Sequence, residues 1–356
     1  MTQPLRALVT GVGGRSVGHQ ILQALSFSPN DYTVVATDAD AFSFGLYLDL
    51  VEQRQLVPFA TSPDYRGTIL DLVRRTEPAV LLPGTEAEIR VLTGMREELA
   101  ALGCHLVAAP PEGIALCNDK GALYRWLAEE GIGVPVSAGV DGWQDLATRV
   151  GYPLVGKPAG LSGGSRDVAI LADAAEIERY IETFPGPRSD IVFQEYVGDA
   201  TSEYTVGVVV SAAGEAVDSI VLHRVLTGLS LGPGRTIDGR RYTLSTGYSQ
   251  GIIVDDPEVR RFCEDLAVRM KLTGPVNIQL RKHDDGSIKV FEVHPRFSGT
   301  SSIRAQAGFN EPDMVIADQL RGEKVGRQAY RTDVAAIRAF QSILVPVADM
   351  NKLRGG

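Results

Sequence analysis

The first hundred or so residues alternate short β-branched runs with amphipathic helical stretches, and this alternation leaves few architectures open. Residues 6–10, 33–37, 79–82 and 105–108 read as strands, with helices over 17–25, 65–75 and 86–102 between them. Strands joined through helices pair in parallel, so this part is an α/β layer. Asn118 caps a helix over 119–130 that Gly131 stops, and a first boundary falls near residue 115. Beyond it adjacent strands dominate. A small α+β unit spans 116–190, with strands over 152–157 and 167–171 and a helix opened by the capping box of Asp173 and Glu176. A larger lobe follows over 191–356, with strands at 191–197, 204–210, 217–223, 275–281, 287–293 and 335–345. Its helices cover 257–271, 301–308 and 313–320, while the Gly/Arg-rich 224–250 reads as a polar loop. A length of 356 residues accommodates the three domains 1–115, 116–190 and 191–356.

Charge excludes some partners. Thirty-five Lys and Arg against 44 Asp and Glu give −9, so neither nucleic acid nor an anionic membrane attracts the chain as a whole. No apolar run reaches transmembrane length, and MTQPLRALVTG leads straight into a strand, which makes a cytoplasmic protein the expectation. Cys104, Cys117 and Cys263 are odd in number and lack CxxC spacing, as reduced apolar fillers would be.

Two glycine motifs are weaker than they look. TGVGGRSVGHQ follows a strand and opens a helix, with Asp38 ending the next strand, yet Ser16 stands where a dinucleotide fingerprint needs its third glycine. The expectation is a tight turn. GYPLVGKP has the outline of a P-loop, but Pro158 replaces its Ser/Thr and YPLV reads as strand.

Chemistry concentrates in GPVNIQLRKHDDGSIKVFEVHPRFSG. Asp285-Gly286 signals a hairpin. If Asp284 pairs with Ser287, Gln279 lies opposite Glu292 and Asn277 opposite His294. Side chains alternate along a strand, so these four polar groups share one face, and Val276, Ile278, Leu280, Phe291 and Val293 the other. A carboxylate beside amide oxygens suits a hard cation such as Mg²⁺, with Arg296 close by to neutralise phosphoryl charge.

At these residues the chain resembles the ATP-grasp enzymes, and most of all the carbamoyl-phosphate synthetase and biotin carboxylase-like branch. The resemblance implies an α/β and α+β architecture: a Rossmann-like domain preceding the ATP-grasp fold, a small lid and a larger antiparallel-sheet lobe. EVHPRFSG is similar to the family's Glu-x-Asn-Pro-Arg metal signature. By that resemblance Gln279, Glu292 and His294 are the metal positions, and Arg296 meets the phosphate in transfer. An imidazole at His294, where Asn is usual, favours Mn²⁺ more than an oxygen would. Lys157 and Lys120 would reach the ATP phosphates, Lys157 beneath a glycine loop of Ser162, Gly163, Gly164 and Ser165. Glu195, Tyr196 and Val197 would meet adenine, and Glu203 the ribose. Lys157 and Arg296 are then the catalytic pair.

The implied reaction is ATP-dependent joining of a small-molecule carboxylate to an amine through an acylphosphate, with ATP and Mg²⁺ as cofactors. Arg224, Arg235, Arg240, Arg241 and Arg304 are the candidate clamps for the acid, because an Arg fork fits a carboxylate. Bicarbonate activation and a catalytically silent nucleotide-binding scaffold are the alternatives. A homodimer is an open expectation, since the sequence does not fix the oligomeric state.

Overall fold

The computed structural model describes residues 4–14, 16–159, 167–283 and 285–355. Strands β1 (Leu5–Val9), β2 (Tyr32–Asp38), β3 (Val51–Leu56), β4 (Val80–Leu82) and β5 (His105–Leu106) form a parallel sheet in the order β3-β2-β1-β4-β5. Helices α1 (Val17–Ser26), α2 (Tyr65–Thr76), α3 (Glu86–Thr93) and α4 (Arg96–Ala101) cover it. The expected helix over 86–102 is thus two, parted at Gly94 and Met95. β3 was not anticipated, because VEQRQL is a polar edge strand with most of its side chains outside the core.

The glycines between β1 and α1 serve packing. A Cβ on Gly18 would sit 2.4 Å from the carbonyl oxygens of Thr10 and Gly11, and one on Gly84 would sit 2.0 Å from that of Thr10. Asp38 accepts the Gly13 N–H at 2.8 Å, and Ser16 caps α1.

Helices α5 (Pro111–Asn118) and α6 (Lys120–Glu129) lead to a second sheet of β6 (Ser137–Ala138), β7 (Leu154–Pro158), β8 (Ala169–Leu171) and β9 (Ile191–Glu195), ordered β6-β9-β7-β8. Its own core unites Phe193 with Trp143 and Leu146 of α7 (Trp143–Val150) and Ile177 and Ile181 of α8 (Ala174–Thr183). The P-loop lookalike is the strand β7.

The largest sheet is antiparallel: β10 (Glu203–Val210), β11 (Ala216–Arg224), β14 (Gly251–Val254), β15 (Gly274–Lys282), β16 (Ile288–His294) and β17 (Val334–Ala336), in the order β16-β15-β10-β11-β14-β17. Between β11 and β14, the stretch expected to be a loop is instead a hairpin of β12 (Leu231–Ile237) and β13 (Arg240–Ser245). Asp238 and Gly239 both take positive φ there, the type I′ geometry that Asp-Gly favours. The last expected strand, 335–345, shrinks to three residues, and Ile337, Phe340 and Leu344 stand exposed beyond it.

One face of the large sheet packs on α9 (Pro257–Arg269) and α6 through Cys263, Leu266, Leu123 and Leu127. The other face meets α10 (Ser301–Ala307), α11 (Glu311–Gln319) and α1, and a single core joins Ile21, Leu22 and Leu25 to Ile220, Leu222, Ile303 and Val315. The parallel layer and the large lobe are therefore welded together. The chain ends in α12 (Val347–Gly355). Among the described residues no helix is long and apolar enough to cross a membrane, and all three cysteines are buried and free.

Candidate active site

A cavity of about 990 Å³ opens where the three sheets converge. The hairpin β15–β16 crosses its floor in the expected site register, Asn277 opposite His294 and Gln279 opposite Glu292. The turn differs from expectation: Lys282 pairs with Ile288, and a bulge at Phe291 restores the pairing below it. As a correction, Phe291 joins the cavity wall while Val290 goes to the core.

Glu292 is the centre of the site. Its Oε2 accepts from Gln279 Nε2 and His294 Nε2, each at 3.0 Å. Burial works to raise its pKa, but His294, Lys120 and Lys157 together hold the carboxyl well below the usual range. Lys120, buried in the first turn of α6, is pulled downward by burial, which Glu292 opposes and Lys157 reinforces. Lys157 on β7 donates to Gln194 Oε1 at 2.8 Å and Tyr124 Oη at 3.0 Å, and burial pushes its pKa down to about 8 against the pull of Glu292. Among the described residues the second Glu292 oxygen has no partner and no cluster of three His, Cys, Asp or Glu forms a closed cage; that oxygen, beside the Gln279 amide oxygen, fits a hard cation. His294 does not present an open ligand nitrogen to the cavity as expected, since Nε2 faces Glu292 and Nδ1 lies 3.4 Å from Glu86. Asn277 lines the cavity but offers no free oxygen, its Oδ1 taken by Thr205 at 2.9 Å and Arg304 at 2.7 Å.

Glu195, Tyr196, Val197 and Glu203 line the opposite wall. The Glu195 side chain pairs with Lys289 and its N–H with Val136. Arg281 claims the Val197 carbonyl and stacks over the Tyr196 ring, 4.9 Å from its centroid. Tyr196 is braced through its hydroxyl on Thr243. Glu203 is buried between Arg224 at 2.6 Å and Arg281 at 3.1 Å; burial raises its pKa and the two guanidiniums more than offset this. Ser162, Gly163, Gly164 and Ser165 lie outside the described residues.

The expected substrate arginines scatter, which corrects the sequence reading. Arg304 is not in a loop but inside α10, 1% exposed, locked onto Glu311 at 2.7 Å and Asn277. Arg224 lines the cavity with its guanidinium already engaged by Glu203 at 2.6 Å and by the Thr246 carbonyl at 3.0 Å. Arg235 crosses to Glu176 on α8, Arg240 lies over Tyr242, and Arg241 is exposed on β13; none of these three lines the cavity. An arginine's letter does not reveal whether a carboxylate sits opposite it.

Glu86 and Arg338 are among the cavity residues that went unread. Glu86, first residue of α3, holds Arg296 through Oε1 at 2.7 and 3.2 Å; burial raises its pKa, and Arg296 and His294 outweigh that. In the sequence, TEAE passes for an ordinary helix opening. Arg338 follows β17 and donates to Ser249 O at 2.8 Å, to Gln20 Oε1 at 3.1 Å and to Gly299 O. No motif marks it.

Residues 234–342 match a family model described as ATP-grasp in the biosynthetic pathway with Ter operon. The carbamoyl phosphate synthase large chain of Halobacterium salinarum is 26% identical over 322 residues, an alignment covering 89% of this chain and 29% of that protein. The chain thus spans under a third of the length of such relatives. The biotin carboxylase domain dimer of 2-oxoglutarate carboxylase from Hydrogenobacter thermophilus, solved with MgADP, ADP and bicarbonate, has a TM-score of 0.62 at 14% identity, covering 91% of this chain and 71% of that one. An L-amino acid ligase from Bacillus licheniformis has a TM-score of 0.60 at 17% identity, covering 90% and 75%.

Proposed function

We propose that this chain, an ATP-grasp protein, joins a small-molecule carboxylate to an amine with conversion of ATP to ADP and phosphate. The observation that carries the reading is the grouping of Glu292, Gln279, Lys120, Lys157 and Arg296 around one cavity. In this reading Val197 offers its N–H, which binds no described residue, to the adenine edge. Glu195 and Tyr196 complete the adenine wall, and Glu203 faces the ribose with its charge already compensated. Lys120, Lys157 and the Ser162–Ser165 loop hold the phosphates. Glu292 and Gln279 would bind Mg²⁺, or Mn²⁺, through oxygen, and the ion would supply charge neutralisation at the phosphates. His294 donates to Glu292 and orients it.

The acid's oxygen attacks the γ-phosphorus, the bond to the ADP oxygen breaks, and an acylphosphate forms. Arg296 is aimed at the transferred group once it leaves Glu86. The amine then adds to the carbonyl, phosphate departs with the bonding pair, and the nitrogen gives up its proton. A second reading, with bicarbonate as the acid, is supported by the carbamoyl phosphate synthase relative and the biotin carboxylase neighbour. That neighbour is a dimer, and a homodimer belongs to the proposal.

The test is ADP release measured against paired panels of carboxylic acids, bicarbonate and amines. ADP release that depends on both an acid and an amine, and that Glu292→Gln removes, is the expected result. ADP release indifferent to the acid, or unchanged in Glu292→Gln, would end the reading.

A further inference from the structure

Four guanidinium groups line the cavity, and three of them are paired with an acid: Arg224 and Arg281 share Glu203, and Arg296 lies on Glu86. Arg338 makes no ion pair among the described residues; its hydrogen-bond partners are the neutral oxygens of Ser249, Gln20 and Gly299. A guanidinium has five N–H donors, and these contacts use three. Half-buried, it is a charge that burial disfavours, with Arg224 adding repulsion and Tyr248 partly offsetting both. A half-buried cation with donors to spare calls for an anion.

Its neighbours are donors as well. Gln20 is buried, with its Oε1 receiving both Ser302 Oγ at 2.6 Å and Arg338 Nη1, so the amide points its oxygen toward these groups and leaves Nε2 with no described partner. His19, 7% exposed and edge-on to Phe44, has no partner for Nδ1 among the described residues. Gln23 follows on the same face of α1, at the spacing that brings helix side chains together, and also lines the cavity. The acids of the cavity wall are Glu86, Glu195, Glu203 and Glu292, and none pairs with Arg338.

We propose that Arg338, Gln20 and Gln23 form a seat for a non-reacting carboxylate or phosphate group carried by the amine substrate, which makes that substrate an anionic amine such as an amino acid or a phosphorylated amine. Assigning the seat to the amine rests on the ligase reading. The acid to be activated must pass its charge to phosphate, and a strong clamp on that group would stabilise the ground state and slow the reaction. Arg338 is better suited to a handle that keeps its charge throughout.

The seat is tested without nucleotide, by calorimetric titration of the full chain with succinate, with inorganic phosphate and with succinamide as the neutral control. Expected is binding of one or both anions but not of succinamide; the preferred anion distinguishes carboxylate from phosphate. Arg338→Gln should weaken the preferred anion at least roughly tenfold, as loss of charged hydrogen bonds does. Arg338→Lys should retain part of the affinity. Gln23→Glu, almost isosteric, should abolish it by placing a competing carboxylate in the seat, and it keeps the question open to decision if Arg338→Gln loses its fold by circular dichroism. No anion binding by the wild type, or binding unchanged in Gln23→Glu and folded Arg338→Gln, as Lys120 and Lys157 would give, overturns the proposal. If the seat binds while no acid and amine pair supports ADP release, the ligase reading fails and the anion site stands.

Discussion

Lys157 shows what a residue at such a site costs the fold. It is buried on a strand, its pKa is near 8 against an ordinary value of 10.5, and among the described residues its partners are the neutral Gln194 and Tyr124. The unfolded chain keeps this proton up to about pH 10.5, whereas the folded chain gives it up from about pH 8. The folded state is therefore penalised most below pH 8, and the penalty is relieved as pH rises through that window. Urea unfolding of wild type and Lys157→Met should show the wild type gaining about 2–3 kcal/mol relative to the variant between pH 7 and 10.5. A difference constant with pH would mean that the lysine is already neutral, or well solvated, in the folded protein. The same variant should lose acid-dependent ADP release at pH 7 while remaining folded. The residues legible beforehand were those whose position follows from counting, Gln279 and Glu292 across a hairpin. Arg304 and Arg338 were misread or passed over because their roles depend on partners brought in by the tertiary fold, Glu311 for one and the absence of any acid for the other.

At the scale of elements, β10 carries a glycine for a reason that only packing explains. A Cβ on Gly207 would stand 2.4 Å from both Arg304 Nη1 and Glu311 Oε1, so the bare strand lets a buried ion pair lie against the sheet and hold Asn277. Gly207→Ala should lose about 1–3 kcal/mol in urea unfolding through overpacking. Arg304→Gln should lose about 3–5 kcal/mol, because Glu311 keeps a buried charge without its partner. A loss below about 1 kcal/mol in both would show that the pair relaxes easily into other contacts. Element type was legible where period and turn chemistry agreed, as in the Asp-Gly hairpin over the site. It was missed at β12–β13, although Asp238-Gly239 offers the same signal, because the glycines and arginines around it break the alternation that marks a strand. The bulge at Phe291 left no mark in the letters at all.

For the whole molecule, the decisive fact is unequal coupling. The parallel layer and the large lobe share one core, whereas the four-stranded sheet keeps its own and meets the β12–β13 hairpin through the half-exposed pair Arg235–Glu176, a contact of small net worth. Hydrogen exchange should accordingly find amides of β7 and β9 opening at lower free energy than those of β10 and β15, with the gap narrowing when a non-hydrolysable ATP analogue is added. Equal protection of the two sheets without nucleotide would contradict this division. The shared core also limits how such a protein can be rebuilt. Helix α1 faces two ways, sending Ile21, Leu22 and Leu25 into the joint core and Gln20 and Gln23 to the cavity wall. A chimera spliced at residue 115 would therefore exchange cavity wall and cohesion in one stroke, and a graft of α1 would have to bring α10 and α11 along to remain a protein.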